Sequence, residues 1–160
     1  MKEVILGIDP SSTHCGWAIL EGDRLVAHST ICNDREFYHE RVAHIINVIE
    51  EVTKQYKVTD IACERAFRNP ERNTAALQVV VQAIKSWCKD KHPLALYSPG
   101  QWKKSVVGNG HASKEDVQQA IKLYFPGMTG SEHEYDAIAI AIHAQGMKRL
   151  ERMAKQKEVK

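Results

Sequence analysis

The most constraining feature of the chain is an apolar run near the N-terminus that ends on a single acid. Residues 4–8 are apolar or glycine, Asp9 follows, and a Pro-Ser-Ser turn leads into a second apolar run over 16–20. Two short apolar runs separated by turn residues predict a β-hairpin, with Asp9 at the end of its first strand. Asp9 is then either a functional acid or an ordinary turn residue, because aspartate often begins turns. The hairpin alone supports both interpretations equally.

The rest of the chain predicts a mixed sheet with helices on both faces. Short apolar runs predict strands over 3–9, 14–20, 24–31, 58–64 and 93–97, of which the first three form an antiparallel meander. Helical spacing predicts helices over 36–56, 69–90, 101–107, 113–125 and 131–150. Asn33 and Asp34 are the predicted N-cap of the first helix, and Asn69 with Pro70 is predicted to open the second.

At 160 residues the chain predicts one domain over 1–150, followed by a charged C-terminal tail over 151–160. No stretch reaches the ~20 apolar residues of a membrane helix, and the N-terminus lacks a signal-peptide pattern. We therefore expect a cytoplasmic protein. The four cysteines are widely spaced, which favours buried free thiols over a zinc site.

The formal net charge of +2 hides an uneven distribution of charge. Residues 65–114 hold nine basic and two acidic residues, whereas the segments 1–64 and 115–146 are strongly acidic. This pattern predicts a surface for a polyanion beside an acidic pocket. The alternative is a solvated charged surface, which we favour for the basic residues of 147–160.

Two further acids stand where Asp9 could meet them. Glu64 ends the predicted strand over 58–64, and Asp136 lies in the first turns of the apolar last helix. Glu64 is compatible with a solvent-exposed strand end, but three converging acids would repel one another unless cations lay between them. Carboxylates suit Mg²⁺ or Mn²⁺, and two such ions can support phosphodiester hydrolysis.

Five segments resemble, in order and spacing, the RuvC family of Holliday junction resolvases. They are Gly7-Ile8-Asp9-Pro10, Glu64-Arg65-Ala66-Phe67, Tyr97-Ser98-Pro99 through Lys103, Val106-Val107-Gly108, and Asp136-Ala137-Ile138-Ala139-Ile140-Ala141. The resemblance extends to about residue 145. It implies an RNase H-like α/β fold, whose mixed five-stranded sheet has three antiparallel strands and then two parallel ones. It also implies a homodimeric, Mg²⁺-dependent endonuclease, with Mn²⁺ as a substitute, that cleaves Holliday junctions and other branched DNA by paired hydrolysis at two ions per site.

The resemblance assigns catalytic and metal-binding roles to Asp9, Glu64 and Asp136. The family's fourth position, three residues before the last acid, is often aspartate and is His133 here. We prefer His133 to Glu134 as the fourth ligand, because His133 shares a helical face with Asp136. Ser11 stands where the family usually has glycine.

The same resemblance predicts the residues that contact DNA. Phe67 occupies the place of an aromatic that wedges into the junction core. The other predicted contacts are basic: Arg65, Arg68, Arg72, Lys103, Lys104 and Lys114. Lys114 is also predicted to be catalytic, and Lys104 could replace Lys103. The wide apolar helix over 74–88 could form the two-fold interface, although burial within one chain would explain it equally well.

Two other functions compete with this interpretation. Asp9, the serines after it and Gly16 resemble the phosphate-binding hairpin of an actin-like nucleotide-binding or phosphotransferase domain. Such proteins normally need a second, duplicated domain, for which 160 residues leave no room. A non-catalytic junction-binding module would have no use for carboxylates near phosphates. The short chain and His133 are compatible with a phage-type member, active in a bacterial or phage-infected cell.

Overall fold

A computed structural model describes residues 2–66 and 74–158 of the chain. The strands are β1 (Val4–Asp9), β2 (His14–Glu21), β3 (Arg24–Cys32), β4 (Asp60–Glu64) and β5 (Leu94–Tyr97). The helices are α1 (Tyr38–Tyr56), α2 (Thr74–Cys88), α3 (Pro99–Val107), α4 (Lys114–Tyr124) and α5 (Glu132–Glu158). Each predicted strand and helix is therefore present, with ends within two residues of the prediction except at the start of α2 and the end of α5.

The five strands form one mixed sheet in the order β3-β2-β1-β4-β5. Strands β1, β2 and β3 pair antiparallel, whereas β4 pairs parallel with both β1 and β5. The prediction of three antiparallel strands followed by two parallel ones is confirmed. Because β1 is central and β4 is its parallel neighbour, the carboxyl ends of these two strands lie side by side.

Helices cover both faces of the sheet, each over its own apolar core. On one face, Ile45 and Ile49 of α1 and Ile84 of α2 pack against the sheet. On the other, α3, α4 and α5 pack together, with Trp102 and Ile138 among the fully buried side chains. Alternation along β1 and β4 assigns Ile5 and Ala62 to this second face.

Two glycines let α5 approach the sheet closely. A Cβ built on Gly7 would collide with the carbonyl of Ala137 and lie 2.9 Å from the Cβ of Ala141. A Cβ on Gly16, which pairs with Asp9 across the hairpin, would collide with the backbone of His133 and lie 2.8 Å from its Cβ. Real Cβ atoms do not approach so closely, so these positions bring the N-terminal end of α5 onto the end of β1.

Some predictions about local structure were wrong. Helix α1 follows Phe37, and Asn33 does not cap it, because its amide is buried and donates to the Arg41 carbonyl. Cys32 is exposed at the end of β3, although the other three cysteines are buried and all four are free. Helix α3 begins at Pro99 because Ser98 and Gln101 form a capping box.

The start of α2 and the end of α5 are the helix ends that differ most from the prediction. The predicted opening of α2 at Asn69 and Pro70 lies outside the described residues. The segment predicted as a charged tail continues α5 as a helix to Glu158, and its residues 151–158 are exposed. Lys148 pairs with Asp60 at 2.5 Å and Arg149 with Asp23 at 2.8 Å, which ties this helix to the sheet.

Candidate active site

The first part of the site is formed by the acids that end β1 and β4. Ile8 of β1 pairs with Cys63 of β4 in the parallel register. Asp9 and Glu64 are the next residues on these two strands, so they lie side by side. Both lie on the face covered by α5, since they continue the alternation of Ile5 and Ala62. The Asp9 side chain is only 14% exposed. The two acids therefore lie at the carboxyl ends of β1 and β4, on the face of the sheet that α5 covers.

The first turns of α5 add two more predicted site residues. His133 places Nδ1 3.0 Å from Oδ2 of Asp9, and Asp136 lies one turn further along the helix. This arrangement depends on Gly16, which leaves room for the His133 backbone. The structure thus brings Asp9, Glu64, His133 and Asp136 close together.

Burial and neighbouring negative charge raise the pKa values of the three acids. Burial, followed by the nearby charge of Asp9, raises the pKa of Glu64 to about 8 and that of Asp136 to about 7. Burial also raises the pKa of Asp9, although His133 opposes the rise. The hydrogen bond to Asp9 raises the pKa of His133. Ionisation of Glu64 and Asp136 is therefore unfavourable in the folded chain.

Trp102 of α3 makes a direct contact with this cluster. Its Nε1–H donates to Oε2 of Glu64 at 3.0 Å, and the tryptophan is only 1% exposed. This hydrogen bond favours the ionised carboxylate and opposes the rise in the pKa of Glu64. Trp102 was not predicted as a site residue, because the partners are 38 residues apart in sequence.

The predicted lysines lie at the edge of the acid cluster. The ammonium of Lys103 lies 5.5 Å from the centroid of the Trp102 ring, and its charge partly offsets those of Glu64 and Asp136. Lys114 pairs with Glu132 at 2.8 Å, and this contact raises the pKa of Lys114 and lowers that of Glu132. These side chains place positive charge beside the acids.

Other predicted DNA contacts differ in what the structure describes. Arg65 and Lys104 are exposed, and the backbone N–H of Arg65 donates to the Tyr97 carbonyl at 2.7 Å. Phe67, Arg68 and Arg72 lie outside the described residues.

Glu134 is directed away from the acid cluster. Its carboxylate contacts His28 at 2.6 Å and Thr30 at 3.1 Å, and it accepts from the Ser131 backbone at 2.9 Å. Burial opposes ionisation, but these hydrogen bonds hold the pKa of Glu134 below its usual value. Together with Ser131 it forms the predicted capping box at the start of α5.

Two further residues beside the cluster were not predicted. Glu132 lies 3.8 Å from Nε2 of His133 and adds negative charge near Asp9. The ring of His14 stacks on that of His133 with centroids 5.8 Å apart. The sequence could have indicated His14 as a neighbour of the site, because it begins the strand that pairs with β1.

The carboxylates are close but do not form a complete ligand set. In the part of the chain covered by 2–66 and 74–158, no three His, Cys, Asp or Glu side chains form a group that could hold a metal ion. Two physical effects keep the side chains from converging further: the acids repel one another, and Asp9 is paired with His133.

Comparison with known proteins identifies both a family and a fold. The model of the family described as crossover junction endodeoxyribonuclease RuvC matches residues 5–144. The structure of Thermus thermophilus RuvC superposes with a TM-score of 0.79 at 26% identity, covering 92% of this chain and 96% of that one. The same protein in complex with a Holliday junction substrate gives a TM-score of 0.80. The predicted RNase H-like fold is confirmed.

Curated relatives agree with this assignment. The crossover junction endodeoxyribonuclease RuvC of Ruegeria pomeroyi is 37% identical over 145 residues, covering 86% of this chain and 88% of that protein. The protein of the same name from Parvibaculum lavamentivorans is 36% identical over 158 residues, covering 93% and 90%. The chain belongs to the RuvC family. None of its described helices is long and apolar enough to span a membrane.

Proposed function

We propose that this chain is a Mg²⁺-dependent endonuclease that resolves Holliday junctions by paired hydrolysis in a two-fold dimer. The observation that carries the proposal is the convergence of Asp9, Glu64 and Asp136 at one edge of the sheet, beside His133 and Lys103. Family membership supports junction DNA as the substrate, because the relatives are named crossover junction endodeoxyribonucleases. We also propose a bacterial or phage-infected cytoplasm as the place of action.

The acid cluster fits divalent cations. Three half-buried carboxylates supply the hard oxygen ligands that Mg²⁺ and Mn²⁺ prefer. The raised pKa values of Glu64 and Asp136 show that the folded protein tolerates their charges poorly. Cations would relieve this cost, and binding would require the side chains to converge further. When bound, two ions would activate water and stabilise the leaving oxygen of the phosphodiester.

The ligand roles follow from position. Asp9 lies between the partners on β4 and α5, so we propose that it binds both ions. Glu64 and Asp136 would each bind from one side, and His133 would complete the site once it turns from Asp9. We propose no ligand role for Glu134, because its carboxylate is committed to His28, Thr30 and Ser131.

Basic residues around the acids would hold the DNA backbone. Lys103 lies beside Glu64 and Asp136, and Lys114 reaches the same edge through Glu132. Positive charges at this distance would bind the phosphates that flank the cleaved bond and stabilise charge in the transition state. Arg65, Lys104, Arg68 and Arg72 would extend this contact, and Phe67 would enter the junction core, as the family resemblance implies.

The dimer is proposed from α2. Val80, Val81 and Ile84 of this helix are buried in the core, whereas Val79 is 50% exposed. The helix therefore has more apolar surface than the core of one chain covers. A two-fold dimer through this surface would present two sites to a near-symmetric four-way junction.

The test is cleavage of a synthetic four-way junction in Mg²⁺ or Mn²⁺, with Asp9→Asn and Glu51→Gln beside the wild type. We expect paired nicks from the wild type and from Glu51→Gln, which changes an exposed acid of α1. Asp9→Asn should bind the junction but lose cleavage by at least 100-fold. ATP hydrolysis without nicking would support the actin-like alternative. Junction binding without cleavage in any divalent ion would leave a non-catalytic module.

A further inference from the structure

We propose that Trp102 is a positioning residue that holds the carboxylate of Glu64 ready to bind metal. The role rests on the proposed function only in that Glu64 is taken to bind an ion. Trp102 would act through Glu64 and would touch neither metal nor DNA.

The contact is suited to orienting a carboxylate. An indole N–H is a donor only, and a buried tryptophan generally needs an acceptor. Here the acceptor is Oε2 of Glu64, at 3.0 Å. A bond to one oxygen restrains the rotation of the carboxylate while lone pairs on both oxygens remain for a cation.

The position of the indole is set by the fold and not by the site. Tyr97, the last residue of β5, pairs in register with Glu64, and the capped start of α3 follows immediately. Trp102 lies in the first turns of that helix, where it is 1% exposed and packed among core residues such as Val106. A rigid donor of this kind resembles the outer-shell partners that orient metal ligands in many proteins.

The face of the same indole contacts Lys103. The ammonium lies 5.5 Å from the ring centroid, within the range of a cation–π contact. The edge of the ring therefore contacts a proposed ligand, and its face contacts a proposed phosphate-binding lysine. Trp102→Phe separates the two effects, because phenylalanine keeps an aromatic face and removes the N–H.

The experiment measures Mn²⁺ binding to the metal-free protein by electron paramagnetic resonance of free Mn²⁺, without reference to cleavage. Loss of an outer-shell partner typically weakens metal binding by about 10–100-fold. We expect Trp102→Phe to bind Mn²⁺ roughly 10-fold more weakly and to need a correspondingly higher Mg²⁺ concentration for half-maximal cleavage. Metal-free binding of a four-way junction should stay within about two-fold of the wild type.

The matched control is Trp17→Phe, the same change in the core on the opposite face of the sheet. It should lower the melting temperature without changing Mn²⁺ affinity. If Trp102→Phe does not fold, replacement of Trp102 by benzothienylalanine, which keeps the shape and lacks the N–H, gives the same comparison. Mn²⁺ affinity within two-fold of the wild type in a folded variant would overturn the role. A wild-type protein that binds no Mn²⁺ would instead overturn the metal-dependent function on which the role rests.

Discussion

Replacing Glu64 by glutamine should stabilise the metal-free protein while removing its activity. The pKa of Glu64 is about 8 in the folded chain against an ordinary value of 4.5. Below pH 4.5 the carboxyl is neutral in both states. As the pH rises from 4.5 to 8, the unfolded chain releases the proton and the folded chain retains it, so stability falls across this window.

The size of the effect follows from the same values. One pKa unit corresponds to about 1.4 kcal/mol, so Glu64 alone could lower the free energy of unfolding by up to roughly 5 kcal/mol between pH 4 and pH 8. Part of this shift comes from the charges of Asp9 and Asp136, which also titrate. We therefore expect the free energy of unfolding to fall by about 2–5 kcal/mol. The raised pKa of His133 acts in the same direction, since that stability is also lost as the pH rises.

The measurement is urea unfolding in EDTA at pH 5, 6, 7 and 8. The wild type should lose stability as the pH rises, whereas Glu64→Gln should lose less and be the more stable protein at pH 8. Glu51→Gln, which changes an exposed acid, should follow the wild type. Added Mg²⁺ should stabilise the wild type far more than Glu64→Gln. A Glu64→Gln protein less stable than the wild type at pH 8 would refute the reasoning.

Three further variants test other parts of the site. Gly16→Ala should cost roughly 1–3 kcal/mol or more of stability and most of the activity, because the added Cβ would collide with α5. Gly146→Ala should be neutral or stabilising, because a Cβ at this position would meet open space. Equal melting temperatures for the two variants would contradict the close packing. His133→Ala should lower the cleavage rate by at least 10-fold, and a near-normal rate would exclude a ligand role. Phe67→Ala should retain Mn²⁺ binding but lower junction cleavage, and unchanged junction turnover would exclude the wedge.

Much of the fold was predictable from local pattern. Alternating and helical apolar spacing identifies which segments form strands and helices, and three antiparallel strands followed by crossovers leave few possible sheet orders. Asp9 and Glu64 were predictable as neighbours, because acids at the carboxyl ends of adjacent parallel strands meet at one edge. Asp136 needed the further inference that an apolar helix packs over that edge.

Contacts between distant side chains were not predictable in the same way. The sequence predicts the short helix that carries Trp102 but not that its N–H meets Glu64. The pairing of Lys114 with Glu132 and of Glu134 with His28 depends on how α5 is rotated against its neighbours. That rotation is set by the close approach at Gly7 and Gly16, which a single sequence does not reveal.

The most direct test of paired, metal-dependent resolution uses a supercoiled plasmid that extrudes a four-way junction. Two nicks made within the lifetime of one complex linearise the plasmid, whereas a single nick releases the supercoiling and removes the junction. We predict linear product that requires Mg²⁺ or Mn²⁺ and is lost in Asp136→Asn. Nicked circles without linear product would contradict the two-fold dimer, and undiminished linear product from Asp136→Asn would contradict the acid site.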